Sequence, residues 1–347
     1  MSNNIVRLNY IGSKHQLYEF IKTSILDFTK YESFENKVVG DLFSGTGIIS
    51  YYLRNDKAIV ISNDTELYSN IIVNAMNNCV YNEFIQEKID YINNEVENIK
   101  KVGFITKNYS PYEECNRMFY TIENAKIIDG LRFQIEEWKK NNSITQNDYN
   151  FLLASLLVSA DQYSNIPAVY GCYLKKFKEK ALKSFVLKPI HKNMENANVK
   201  NKTLFVSNES ETMKNETFDV VYCDPPYNER QYSKNYFVLN MIALYENHPI
   251  VKGVTGIPEN SYISPFCQKK SVKKAFEDMV QNINSKYIFI SYSSEGLISK
   301  SDFIKMLEKY GKVEVYEKEY KRFKSFDYNT TGNLIEYIFA LEKGTFS

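Results

Sequence analysis

The chain has 347 residues, of which 44% are hydrophobic and 24% charged, and its formal net charge is +1. That balance is ordinary for a globular protein, with room for one large α/β domain carrying an insertion or for two domains. Only 13 glycines and 8 prolines are present, which argues against a linker-rich or disordered chain, and the net charge does not by itself announce a nucleic-acid binder.

The N-terminus, "MSNNIVRLNY", lacks the apolar core of a signal peptide. "KVVGDLF" (37–43) reads as a short buried strand, followed by the turn "SGTG" and a helix-like run "IISYYLRN" (48–55). "AIVISND" (58–64) is a second apolar strand ending on an acid, and "ELYSNIIVNAMNNC" (66–79) has helical spacing. This β-loop-α-β-α opening marks a doubly wound sheet. From 81 to 195 the pattern changes to long helical stretches, such as 117–141 and 146–164. Within the second, "FLLASLLVSA" (151–160) is too short to span a bilayer and reads as a buried helix segment, so no membrane association is expected. Strands return at 203–208, 218–224, 286–293, 312–320 and 334–342. A helical insertion, residues 81–195, thus interrupts an α/β domain made of residues 1–80 and 196–347.

Charge is unevenly spread along the chain. "LKKFKEKALKSFVLKPIHK" (174–192) carries seven lysines against one glutamate, and "CQKKSVKKAF" (267–276) and "YKRFKSF" (320–326) are also basic. Each alone reads as a solvated face, but three together favour a phosphate-binding surface. The five cysteines (Cys79, Cys115, Cys172, Cys223, Cys267) are far apart, no Cys-x-x-Cys pair occurs, and the three histidines are scattered. No metal site is expected, and thiols rather than disulfides suit a reducing cytoplasm.

In "DLFSGTG" (41–47), Asp41 ends the first strand, and Gly45 and Gly47 can take positive φ and let a ligand approach the backbone. An ordinary tight turn between strand and helix would look similar. A dinucleotide site needs a third glycine where Ser50 stands, and the Gly-Lys-Ser/Thr of a phosphate loop is missing. An acid in the loop repels a pyrophosphate but suits a positive group such as the ammonium of a methionine moiety. Asp64, 23 residues after Asp41, is placed to accept hydrogen bonds from both ribose hydroxyls of an adenosine, or to cap the next helix. Adenosine, an amino acid and no pyrophosphate together describe S-adenosylmethionine.

"FDVVYCDPPY" (218–227) ends a buried strand on an acid, two prolines and a tyrosine. Pro225 and Pro226 offer only carbonyl oxygens, and ionised Asp224 is also purely an acceptor. A strand end with acceptors and few donors, beside the ring of Tyr227, suits a planar group bearing an NH2: the exocyclic amine of adenine, cytosine or guanine. Two acceptors holding its hydrogens out of the ring plane free the nitrogen lone pair to attack a sulfonium methyl. Positioning and electrostatics supply the rate, so Asp224 need not be a strong base. A base within a duplex must be flipped out to reach such a pocket.

With these residues in view, the chain resembles a known family. "NYIGSK" (9–14), "DLFSGTG" (41–47), "SND" (62–64) and "VYCDPPY" (221–227) occur in the order of Dam-like, alpha-group DNA adenine-N6 methyltransferases. The segments "YTIENAKIIDGLR", "LLASLLVSADQYSNIPAVYGCYLK", "NERQYSKNY" and "SYSSEG" look most like FokI-type modification methylases of restriction systems. The resemblance covers nearly the whole chain and implies a Rossmann-like, class I S-adenosylmethionine-dependent methyltransferase whose helical insertion recognises the DNA target.

Carried over residue by residue, the resemblance implies that Tyr10 and Lys14 contact the cofactor or order the active site. Asp41, Phe43, Gly45 and Gly47 are then the cofactor loop and Asp64 the ribose acid. Asn208 or Glu209, in "SNE" (207–209), meets the cofactor's adenine. Asp224 borders cofactor and target, with Pro225, Pro226 and Tyr227 completing the catalytic turn. Asn235 and Tyr236 belong to a mobile loop closing over the flipped base. Lys175 and Lys176 lie against phosphates, and Lys321 and Arg322 add a contact from the catalytic domain. The implied partners are double-stranded DNA, a cognate restriction endonuclease and, for an asymmetric target, a second methylase for the other strand. The implied setting is the bacterial cytoplasm.

Three competitors remain at this level. Cytosine-N4 enzymes more often carry serine in place of Asp224, and guanine-N2 enzymes acting on RNA share the turn but typically lack so large an insertion. A DNA-binding module without activity is disfavoured by the intact Asp224, Pro225 and Tyr227. A nicotinamide-dependent dehydrogenase is disfavoured by the missing third glycine.

Overall fold

Runs of β-branched and aromatic residues, buried on both faces, build the centre of the molecule. The computed structural model describes residues 5–195, 198, 200–205, 214–320 and 334–344. Four parallel strands come first: β1 (Val38–Asp41), β2 (Ile59–Asp64), β3 (Lys202–Phe205) and β4 (Phe218–Cys223). A small antiparallel hairpin, β5 (Val251–Lys252) and β6 (Ile257–Pro258), stands apart from the main sheet. β7 (Ser285–Ser293) continues the parallel set beside β4, and β9 (Leu334–Lys343) lies antiparallel between β7 and β8 (Gly311–Tyr320). The strand order is β3-β2-β1-β4-β7-β9-β8. It reverses between β1 and β4, and a crevice opens at the carboxyl ends of strands flanking such a switch point. Asp41 and Asp64 end β1 and β2, and Asp224 directly follows β4. This is a Rossmann-like, doubly wound α/β sheet.

Helices cover both faces. In chain order they are α1 (Tyr18–Thr29), α2 (Ile48–Asn55), α3 (Leu67–Asn78), α4 (Glu83–Asn94), α5 (Val96–Ile99) and α6 (Phe104–Tyr109). There follow α7 (Ile122–Lys140), α8 (Gln146–Gln162), α9 (Glu179–Leu182), α10 (Tyr232–Asn235), α11 (Phe237–Ala243), α12 (Val272–Asn282) and α13 (Lys300–Leu307). Alternation along β4 sends Val220 and Tyr222 to one core and Val221 and Cys223 to the other. The first core holds α2, α3, α7, α8 and α11; the second holds α12 and α13. Thr145 starts α8 with a capping box, its hydroxyl accepting from the Asp148 amide while the Asp148 carboxylate accepts from the Thr145 amide.

Every residue of α8 from Phe151 to Asp161 is buried, as befits a helix apolar on all sides. Phe151 and Leu156 belong to the same apolar cluster as Val39, Val60 and Tyr222. The stretch 81–195 therefore shares its core with the sheet. Buried Arg54 reinforces the join by donating to the carbonyls of Met76 (2.9 Å), Cys79 (2.9 Å) and Glu195 (2.6 Å). No helix among the described residues is long and apolar enough to cross a membrane.

Candidate active site

The segment "NYIGSK" is held from three sides. Buried Asp161 at the end of α8 accepts from the Asn9 amide at 2.8 Å, and the Tyr236 hydroxyl accepts from the Ile11 amide at 2.8 Å. Tyr232 donates to the Ile11 carbonyl at 3.2 Å. Gly12 can then turn at φ +82°, which aims Lys14 into the crevice and lays the Tyr10 ring on that of Tyr236, 4.8 Å between centroids. The Lys14 ammonium lies 3.1 Å from Asp224 Oδ1 and 2.9 Å from Glu336 Oε1, a carboxylate from β9. Burial works against the lysine charge, but Asp224 and Glu336 outweigh it and hold the pKa above the ordinary lysine range.

Asp41 is buried, and its Oδ2 accepts from the Ser50 hydroxyl at 2.6 Å and the Ser50 amide at 3.1 Å. Ser50 thus has a use at the place where a dinucleotide fold has glycine: it orients the acid of the loop. Burial pushes the Asp41 carboxyl up to about 7; the Ser50 bonds oppose the rise and the nearby charges of Asp224 and Asp64 add to it. Asp64 accepts from the Gly45 amide at 2.8 Å and the Glu66 amide at 3.0 Å, and burial raises its pKa too. Gly45 and Gly47 both take positive φ, +52° and +71°. At Gly45 a Cβ would come 3.0 Å from the Tyr10 hydroxyl, beside the cavity; at Gly47 it would meet the α3 backbone, 3.1 Å from Val73 Cα. Gly47 therefore serves helix packing as well as the turn.

These groups surround a cavity of about 760 Å³, part of it open to solvent. Tyr10, Lys14, Asp41, Phe43, Gly45, Asp64, Asp224 and Pro226 all line it. Glu66 joins them, its Oε2 accepting from Asn240 at 2.6 Å and burial pushing its pKa up to about 7. Four acids and one lysine among the described lining residues give the cavity a negative balance suited to a cationic ligand. Among the described residues no group of His, Cys, Asp or Glu could hold a metal ion.

At the end of β4, burial pushes Asp224 up to about 6, with Lys14 opposing the rise and Glu336 adding to it. Pro225 is buried, while Asp224, Pro226 and Tyr227 are half-buried at the crevice. The Tyr227 carbonyl accepts from the Leu297 amide at 2.9 Å, and its ring meets Tyr292 edge-on at 6.5 Å. The turn is thus fixed by the loop after β7, and Tyr227, packed against the second core, does not itself line the cavity.

Other expected residues lie elsewhere. Asn235 closes α10 and its carbonyl accepts from the Tyr170 amide at 2.8 Å. Tyr236 is fully buried between α10 and α11. Neither lies on a loop over the crevice, because the Tyr236 ring and hydroxyl are committed to Tyr10 and Ile11; Gln231, Tyr232 and Ser233 line the cavity instead. Lys175 and Lys176 sit on an exposed bend and do not line the cavity. Asn208, Glu209, Lys321 and Arg322 fall outside the described residues. Glu336, Glu66, Asp161 and Ser50 escaped the sequence reading. A signal existed for Glu336: it shares a strand face with buried Ile338 and Ala340, and an acid at such a position requires a buried partner.

A Rossmann-like sheet with acids at the ends of β1 and β2, and a turn rich in acceptors beyond β4, is the arrangement expected of an enzyme that methylates amino groups. The pattern shared by D12 class N6 adenine-specific DNA methyltransferases matches residues 10–306. The chain is 41% identical to the Type II methyltransferase M.CviAII of Paramecium bursaria Chlorella virus 1, over 96% of this chain and 98% of that protein. It is 36% identical to the Type II methyltransferase M.NlaIII of Neisseria lactamica, over 97% and 99%. It is also 36% identical to the Type II methyltransferase M.FokI of Planomicrobium okeanokoites, over 97% of this chain but 53% of that longer protein. The chain belongs to the D12 class N6 adenine-specific DNA methyltransferases. Adenine N6 is therefore the acceptor among the three amines that the turn could accommodate.

Proposed function

We propose that the cavity binds S-adenosylmethionine and that the chain methylates N6 of an adenine flipped out of duplex DNA at a specific sequence, as the modification half of a restriction-modification system. The observation that carries this reading is the acceptor-rich turn Asp224–Tyr227, opening beside an acid-lined cavity at the switch point of the sheet. Asp41, Asp64 and Glu66 would hold the cationic and ribose parts of the cofactor, with Tyr10, Phe43 and Gly45 as walls. Asn208 or Glu209 remains the candidate for its adenine. When bound, the cofactor supplies an electrophilic methyl group; the rest falls to the protein.

Asp224 and the Pro225 carbonyl accept the two N–H bonds of the target amine and hold them out of the ring plane. The nitrogen lone pair, otherwise delocalised into the adenine, is then available to attack. The proton released as the N–C bond forms can be held at an Asp224 carboxylate oxygen and passed to water. Stacking on Tyr227 returns roughly 1–3 kcal/mol of the cost of unstacking the base. Residues 81–195 would read the target, with Lys175 and Lys176 on phosphates and Lys321 and Arg322 contributing from the catalytic part. A cognate endonuclease and, for an asymmetric target, a second methylase for the opposite strand complete the proposed system, and a DNA substrate suits a cytoplasmic enzyme. Expression in a methylation-free host, followed by sequencing that detects modified bases, tests the proposal. N6-methyladenine in one sequence context supports it, and an unmodified genome contradicts it.

A further inference from the structure

Lys14 has two carboxylates where a structural ion pair needs one. Asp224 belongs to the catalytic turn, but Glu336 comes from the opposite antiparallel strand and has no place in the turn's chemistry. The three side chains are nearly enclosed, with exposures of 7% for Lys14, 20% for Asp224 and 14% for Glu336. An ammonium there must stay paired, because an isolated buried charge is strongly unfavourable. Yet the carboxylate it touches is the one the target amine needs, and both cation and amine are hydrogen-bond donors. We propose that Glu336 is a positioning residue for methyl transfer, retaining the Lys14 ammonium when Asp224 turns to the adenine amine. In the absence of DNA the lysine bridges both acids and keeps Asp224 in place. When the amine arrives, Lys14 keeps Glu336 and gives up Asp224, so the cation is never stranded. This inference rests on the adenine-methylation reading and adds to it a residue outside the family's turn.

The test compares the plateau kcat and the pH dependence of kcat/KM on duplex DNA for the wild-type chain, E336Q, E336D and K14Q. Among the described residues, the charged and titratable groups around Asp224 are Lys14, Glu336, Asp41, Tyr222, Tyr227 and Tyr232. Ionised Asp224 is the stronger acceptor and carries no competing donor, so activity should be highest above its pKa and fall as pH falls through it. E336Q removes a negative neighbour and should move the acid limb to lower pH. With Asp224 as the only carboxylate left for Lys14, it should also lower kcat about tenfold or more on the plateau. E336D keeps the charge and should leave the limb in place, with kcat within about threefold of wild type. K14Q removes the cation and should move the limb the other way, to higher pH. The inference is overturned if E336Q keeps kcat within about twofold, if its limb does not move, or if E336Q and K14Q move the limb in the same direction. Should E336Q not fold, E336D and K14Q still decide, since a shifted limb in E336D or an unmoved one in K14Q also overturns it. A wild-type chain that methylates no adenine contradicts the underlying reading itself, an outcome distinct from a normal E336Q enzyme.

Discussion

Asp41 and Glu66 show how burial sets the conditions for binding. Both carboxyls are pushed up to about 7, chiefly because the crevice withholds water from their charged forms. Each is largely neutral below that value and ionised above it, and a cationic ligand favours the ionised form. Affinity for S-adenosylmethionine should therefore rise with pH through about 7, by severalfold between one unit below and one unit above. Titration calorimetry across that range checks this; a flat profile would mean that neither acid meets the cofactor's charge. The same raised values mean that the empty protein loses stability from these acids as pH climbs from the ordinary carboxylate range to about 7, and a bound cation restores it.

Elements were legible where the pattern is local. The expected strand 218–224 is observed as Phe218–Cys223, and the helix expected at 48–55 is Ile48–Asn55. Both depend on short-range apolar spacing. α12 went unread because the run "CQKKSVKKAF" presents its lysines first, while the buried stripe Val272, Phe276, Met279 and Val280 extends beyond it. Asn235 and Tyr236 were expected on a mobile loop, whereas Asn235 ends α10 and Tyr236 is buried against the N-terminal segment. In the site, Asp41, Asp64 and Asp224 were legible from their positions at strand ends. Glu336 was not, because its partner Lys14 lies over 300 residues away. Packing between elements is tested at Gly130 of α7, where a Cβ would come within 1.9 Å of the Ile99 carbonyl oxygen of α5. Gly130→Ala should cost about 2–3 kcal/mol by prying the two helices apart. Chemical denaturation measures this, and an unchanged midpoint would show that the contact yields without cost.

For the whole molecule, the core shared by the sheet and residues 81–195 means that these two parts cannot move as independent bodies without breaking apolar contacts around α8. The basic bend at Lys175 and Lys176 is exposed and does not line the cavity. Lys175→Ala with Lys176→Ala should weaken DNA binding, lower the dependence of log affinity on log salt by about 2, and leave kcat unchanged. Binding measured over a salt series checks this, and an unaltered slope would remove the bend from the DNA surface. The most direct measurement for the enzyme as a whole follows a tritiated methyl group from S-adenosylmethionine into unmethylated duplex DNA, with nucleoside analysis of the product. The wild-type chain should place the label in N6-methyladenine. Asp224→Ala should place none, while still binding the cofactor. Label in N4-methylcytosine, or undiminished transfer by Asp224→Ala, would contradict the role given to the turn after β4.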